Sequence, residues 1–459
     1  MHTLPRPHIN SPGRHFLRQS TERMQALCLW LYARLMQVAA PLLRRKLARR
    51  ALAEPGYAQA VPERWGQYTQ APETASELVW VHAVSLGETR TAAILLREWR
   101  ARSPGLRVLL THGTATGREQ GLNLLQPGDV QVWQPWDSRA AVDSFLTHFK
   151  PRLGVLLETE VWPNLMAAAQ ARGLSVALVN ARLSPKSLAS ALRLAWLARP
   201  AYRALAAVYA QTEADGRRLA QLGAPVAGVF GNLKFDARPD AAQQALARLW
   251  RASLAQPVLM LASSREGEEI DFLQQWQARK LEAQPGRALK RVLIVPRHPQ
   301  RFEEVAQLVQ AQGLTVSRRS QWAGAPGDDP AAMQADVWLG DSLGEMALYY
   351  TLSDVALLGG SFEALGGQNL IEPAACACPV VMGPHTFNFA EVALGAESAG
   401  AAFRVTNMQA GLVQALALLD DPTALQQAKS AALAFGASHG GAAERTVQAL
   451  TQLAAVPRD

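Results

Sequence analysis

The sequence predicts an α/β protein, two parallel-sheet domains in succession behind an N-terminal membrane-anchor helix. Three observations predict it. From about residue 76, short apolar runs alternate with helical stretches in two series that part near residues 237–240, the pattern of parallel strands covered by helices. A length of 459 residues suits two domains of the larger α/β kind. Basic residues crowd into the first fifty positions, around one long apolar stretch.

Composition narrows the class further. Hydrophobic residues make up 49% and charged residues 18%, with 33 Gly and 27 Pro spread along the chain, which excludes disorder and fibrous repeats. Three cysteines, Cys28, Cys376 and Cys378, cannot build a disulfide framework, and no His lies near the last two to complete a zinc site. A reducing compartment and no structural metal are expected. The formal charge of +8 divides unevenly: residues 1–50 hold ten Arg/Lys against one acid, leaving 36 basic and 37 acidic residues elsewhere. A nucleic-acid binder needs its charge on a folded face, so that partner is not expected.

The apolar stretch runs from Met24 to Leu43 and is interrupted by Gln25, Arg34, Gln37 and Pro41. It has about the length of a bilayer span. RRKLARR, residues 44–50, follows it and suits anionic lipid on the cytoplasmic side of a membrane. Residues 24–50 therefore read as an anchor helix with a basic flank, spanning the membrane or lying in its interface. A signal peptide is disfavoured by Arg34 and by the basic run after the apolar core; a buried core helix is the other alternative. Residues 1–23 read as a disordered extension, with Met24 as an alternative start.

The first series of strands comprises LVWVHAV from Leu78, RVLLTH from Arg107, VQVWQPW from Val130, LGVLLET from Leu153, SVALVNAR from Ser175 and AVYAQT from Ala207. The second comprises PVLMLASS from Pro257, RVLIVPR from Arg291, DVWLGD from Asp336, DVALLGGS from Asp354 and CPVVMGP from Cys378. The predicted domains are 51–236 and 241–459, with the last helix free to cross back. Ligands of open α/β sheets gather at the carboxyl ends of strands, and the polar residues fall there: Ser85–Glu88, Glu158 and Glu160, Ser263 and Ser264, and Arg297. Several chemistries lose their support. No Gly-Lys pair exists for a Walker A loop, no G-x-G-x-x-G follows the first strand, and no HExxH occurs. Glycine-flanked polar turns remain, suited to offering backbone N–H groups to an anionic nucleotide.

In order, the strings VHAVSLGE, LETEVWPN, NARLS, GNLKFD, VPRHPQRF, LGDSLGEM, GGSFEALGGQN with LIEPA, and MGPHTFNF closely resemble the bacterial 3-deoxy-D-manno-oct-2-ulosonic acid (Kdo) transferases of lipopolysaccharide synthesis, over roughly residues 24–450. The resemblance implies a GT-B fold of two facing Rossmann-like domains, the first for the acceptor and the second for the CMP-sugar. It implies inverting transfer of Kdo from CMP-Kdo to a lipid A precursor (lipid IVA), no cofactor or metal, and work at the cytoplasmic face of the inner membrane. Another nucleotide-sugar transferase or an epimerase would share the two sheets, but not SLGE, ETEVWPN and GNLKFD together. A membrane-tethered noncatalytic nucleotide or lipid binder is the remaining alternative.

Under that resemblance Glu88 is the general base, with a carboxylate favoured by the helix dipole as the bland reading. Glu158, Glu160, Lys234 and His385 fall to substrate binding. Lys234, one of seven lysines, would meet an anionic sugar or phosphate. Ser264, Pro296 and Arg297 fall to CMP, Arg297 because a guanidinium takes two oxygens at once, unless it merely pairs with Glu303 or Glu304. Two further turns complete the CMP set: Leu343, Gly344 and Glu345, and Asn369, Leu370, Ile371 and Glu372, whose carboxylate suits ribose hydroxyls. The sequence departs from the family at Gln368, where His is common, and at Leu370, where Pro is common.

Overall fold

The computed structural model describes residues 12–74, 77–282, 290–438 and 440–455. The chain divides into two compact units, residues 1–236 with 441–459, and residues 237–440. Each is a seven-stranded sheet whose registered strand pairs are all parallel.

In the first unit the strands are β1 Leu78–His82, β2 Arg107–His112, β3 Val130–Trp133, β4 Leu153–Leu157, β5 Val176–Ala181, β6 Ala207–Ala210 and β7 Val226–Val229, in spatial order β3-β2-β1-β4-β5-β6-β7. Central strands are apolar on both faces because both faces are covered. Leu78 and Trp80 of β1 enter one core and Val79 and Val81 the other. The second unit repeats the plan with β8 Val258–Ser264, β9 Arg291–Pro296, β10 Val316–Arg318, β11 Val337–Leu339, β12 Val355–Leu358, β13 Val380–Met382 and β14 Ala402–Arg404, in order β10-β11-β9-β8-β12-β13-β14. The expected fold class, two Rossmann-like α/β units, is the one found. Chain order reverses between β1 and β4 in one sheet and between β8 and β12 in the other, which opens a crevice at each switch point.

Three strands lie outside the expected series: β7, β10 and β14, each at a sheet edge. Edge strands are less covered and shorter, so VAGV, VSR and AFR carry little apolar signal. The second unit also ends earlier than the expected 241–459. After Gly440 the chain returns to the first unit, where Ala442, Ala443, Val447 and Leu450 of the helix Ala442–Ala455 join its core. Asp236 secures that return, its carboxylate accepting the backbone N–H groups of Gly441 and Ala443.

The N-terminal helix runs from Pro12 to Ala53, so the expected disordered extension is corrected from residue 12 onward, while residues 1–11 lie outside the described residues. Proline at a first helical position needs no N–H partner, and Arg, Gln, Leu and Glu after it are good helix formers. The portion Met24–Ala53 is long and apolar enough to cross a membrane. Its sides differ. Leu29, Tyr32, Met36 and Leu43 are half-buried and Leu47 is buried with Tyr57 and Trp133. Met24, Leu27, Leu31, Leu35, Val38 and Leu42 stand exposed.

Candidate functional site

In the first unit β1 ends at His82, and the chain turns through Ser85 into the helix Leu86–Arg102. Ser85 is its N-cap, accepting the Glu88 N–H at 3.3 Å, and Glu88 replies by accepting the Val84 N–H at 2.8 Å and the Ser85 hydroxyl at 3.2 Å. This is a capping-box arrangement, so the carboxylate has a structural role. A cap alone does not account for its protonation. Burial pushes the Glu88 carboxyl up to about 7, the Val84 N–H opposes this, and Glu158 and Glu160 add to the rise. A carboxyl that titrates near neutrality beside two others is poised to exchange a proton.

Glu158 and Glu160 follow β4, across the switch point from Glu88. Glu158 is 4% exposed and holds a left-handed backbone, φ +60°, a conformation costly for a residue with a side chain. Its carboxylate pairs with Lys234 Nζ at 2.9 Å and Arg182 Nε at 2.8 Å. Glu160 accepts the Trp162 indole N–H at 3.0 Å, and burial raises its pKa. Asn180, near the end of β5 with φ +50°, accepts the Leu233 N–H at 2.9 Å and so ties the strand end to the Lys234 loop. SLGE, ETE, NARLS and GNLKFD, apart in the chain, thus meet around one crevice. Arg182 and Asn180 were not singled out from sequence, although both stand in the string NARLS.

In the second unit the crevice between β8 and β12 is laced by Glu268. Its carboxylate, 1% exposed, accepts N–H groups of Arg265 at 2.9 Å, Gly360 at 2.8 Å, Phe362 at 3.2 Å and Glu363 at 3.4 Å. The two strand-end loops are therefore held together by one side chain. Gly359 admits no side chain here, since a Cβ would stand 2.4 Å from the Ser263 carbonyl oxygen.

Ser264 is fully buried and its hydroxyl donates to Glu269 at 2.8 Å, so its side chain orders the turn. Pro296 closes β9. Arg297 donates its backbone N–H to the Ser264 carbonyl at 3.1 Å, while its exposed guanidinium has no ion pair among the described residues. The alternative partners are taken: Glu303 binds Arg318 at 2.7 Å and Glu304 binds Arg301 at 3.3 Å. His298 has its pKa lowered by desolvation and then by Arg265, Arg297 and Arg301, which marks three guanidinium groups close together.

The other two turns differ in what they leave available. Gly344 has φ +78° and its carbonyl accepts from Gln243 at 2.8 Å, with Leu343 exposed beside it. The Glu345 carboxylate is engaged by Arg319 at 2.9 Å and by the Ser342 hydroxyl, so it shapes the turn. Asn369 accepts the Ile371 N–H at 3.0 Å; Leu370 and Ile371 are each 2% exposed, which confines their side chains to the core. Glu372 stands half-buried in the same turn, and the half-buried His385 donates its backbone N–H to the Ser361 carbonyl at 3.0 Å.

Comparison with known proteins decides among the chemistries such crevices serve. Residues 59–237 match the family model described as 3-deoxy-D-manno-octulosonic-acid transferase (kdotransferase). The chain is 45% identical to the 3-deoxy-D-manno-octulosonic acid transferase of Bordetella pertussis over 92% of its own length and 98% of the relative's. The chain belongs to this transferase family. A second member, from Haemophilus influenzae, is 31% identical over 79% of this chain and 84% of its own. Among solved structures, the UDP-GlcNAc 2-epimerase of Neisseria meningitidis shares the fold at 16% identity and a TM-score of 0.54, covering 82% of this chain and all of its own, 100%. The protein is therefore a glycosyltransferase that moves Kdo. The first unit presents the buried Glu88 carboxyl and the second the exposed Arg297 guanidinium.

Proposed function

We propose that the enzyme carries Kdo from CMP-Kdo to a lipid A precursor, with inversion at the anomeric carbon and Glu88 as base, in the lipopolysaccharide pathway at the cytoplasmic face of the inner membrane. The observation that carries the reading is the Glu88 carboxyl, lifted to about 7 by burial and by the facing Glu158 and Glu160. In its ionised form it takes the proton of the acceptor hydroxyl as that oxygen forms its bond to the anomeric carbon. The bond from that carbon to the CMP phosphate oxygen breaks, and its electron pair leaves on CMP.

Lys234 and Arg182 fix the Glu158 carboxylate through ion pairs, and its place beside Glu88 favours the proton on Glu88. Arg297, unpaired and beside two further guanidinium groups, suits the CMP phosphate. The Asn369–Glu372 turn suits the ribose. Lys234 and His385 remain candidates for the sugar. No cofactor or metal is assigned a part, and among the described residues no group of three or more His, Cys, Asp or Glu comes together as a ligand set. The exposed apolar face of the first helix and the basic run after it support attachment to anionic lipid.

The test is product formation from CMP-Kdo and a lipid A precursor, read by mass spectrometry. A Kdo-bearing lipid is the expected product, with EDTA leaving its rate intact. Turnover with UDP-GlcNAc in place of CMP-Kdo would point to the epimerase-like alternative, and an ion requirement restored by Mg²⁺ would overturn the metal-free part.

A further inference from the structure

Between the N-terminal helix and the body of the first unit lies an open groove of about 650 Å³. One wall is the helix, through Leu29, Trp30, Ala33 and Arg34; the other is the helix Pro163–Ala171 with Arg139 and Arg172 beside it. Its floor is apolar and its rim is cationic. Arg34 stacks over Trp30 at 5.3 Å, and Arg172 and Arg139 share the single rim carboxylate, Asp143, at 2.9 and 3.8 Å. Three guanidinium groups against one acid leave a net positive rim. The Arg139 side chain is 80% exposed, with nothing else holding its charge among the described ion pairs.

We infer that this groove is a binding site for one anionic phospholipid, its phosphodiester held by Arg34, Arg139 and Arg172 and an acyl chain lying along Leu29, Trp30 and Ala33. Three observations single out that occupant. A guanidinium rim matches a phosphate that must be bound at a membrane surface. The groove is continuous with the exposed side of a helix that carries Leu27, Leu31 and Leu35, so an acyl chain leaving it meets further apolar surface. Trp30, itself 51% exposed, combines an apolar ring with an indole N–H and favours the zone between headgroups and chains. The site is separate from the basic run at residues 44–50, which attracts a charged surface without enclosing a molecule. It would couple the seating of the helix against the first unit to the presence of anionic lipid.

The inference rests on the reading of the first helix as membrane-attached, and two measurements separate them. Flotation of the full-length enzyme with phosphatidylcholine vesicles containing a fifth phosphatidylglycerol tests attachment. Native mass spectrometry of the detergent-solubilised enzyme, titrated with each lipid, tests the groove. About one phosphatidylglycerol should be retained per chain, at least about fivefold in preference to phosphatidylcholine. Arg139→Gln with Arg172→Gln should abolish that preference, and Ala171→Trp, which fills the groove at an exposed position and keeps every charge, should lower retention likewise. Both variants should keep Kdo transfer to detergent-dispersed acceptor within about twofold.

Equal retention of the two lipids, or unchanged retention in both variants, would overturn the site even if flotation succeeds. Displacement of the lipid by the acceptor would overturn it in favour of an acceptor subsite, and displacement by inorganic phosphate in favour of a free-anion site. Dimerisation lost in the variants, with no lipid bound, would make the groove an interface between copies.

Discussion

Glu88 stands under two opposite influences. As part of a capping box it accepts from Val84 and Ser85, which favours the charged form, yet burial beside Glu158 and Glu160 disfavours it. Glu88→Gln keeps the shape and removes the basicity, so kcat should fall by about two to four decades while CMP-Kdo binding changes by less than about tenfold. The wild-type kcat/KM profile should rise with pH through an apparent pKa near 7. Residual activity of the variant should lack that limb.

The same shift has a stability sign. With a folded pKa of about 7 against 4.5 as the ordinary value, the folded state binds the proton more tightly than the unfolded one. The contribution of Glu88 is most favourable below about pH 4.5, is lost as pH rises toward 7, and stays lost above. Allowing for solvent screening, wild type should lose about 1 to 3 kcal/mol relative to Glu88→Gln between pH 4.5 and 8, measured by denaturant unfolding at both pH values. Arg297→Ala should instead weaken CMP-Kdo binding by about 1.5 to 3 kcal/mol, measured by calorimetry. Glu88 was legible because its motif is local. The partners of Glu158 were not, since Lys234 and Arg182 reach it only through the fold, and the Ser264 hydroxyl turns inward to a carboxylate that spacing does not reveal.

At the scale of elements, Asp236 shows how a motif residue outside the chemistry supports the unit that holds it. It ends GNLKFD, two residues after Lys234, and its carboxylate takes the N–H groups of Gly441 and Ala443 at the start of the final helix. Burial of Val447 and Leu450 depends on that helix staying docked. Asp236→Ala should therefore cost about 1 to 3 kcal/mol in the first unit and speed hydrogen exchange across residues 441–455, whereas Asp236→Asn keeps an acceptor and should lose less. The central strands were legible in sequence because burial on both faces makes them continuous apolar runs. The edge strands β7, β10 and β14 were not, and the final helix gave no local sign of which sheet it covers.

For the molecule as a whole, the N-terminal helix is long and apolar enough to cross a membrane and is also part of the first unit. Charge and hydropathy alone make residues 1–50 removable as a block. The structure ties residues 44–50 to the core: Leu47 is 6% exposed against Tyr57 and Trp133, Arg44 lies over Trp65 at 4.8 Å, and Arg50 over Tyr57 at 5.6 Å. Deleting residues 1–23 should leave membrane association and Kdo transfer nearly intact. Deleting 1–43 should leave a weak association through the basic run alone, screened away as salt rises toward about 1 M, where charges act over only about 3 Å. Deleting 1–50 should abolish association and also lower the melting temperature by several degrees beyond the 1–43 deletion, because loss of a buried Leu costs about 2 to 5 kcal/mol. Vesicle flotation across a salt series and thermal unfolding of the three forms check these outcomes. A 1–50 deletion that floats in high salt would place the anchor elsewhere in the chain, and one that melts with the 1–43 form would remove Leu47 from the core.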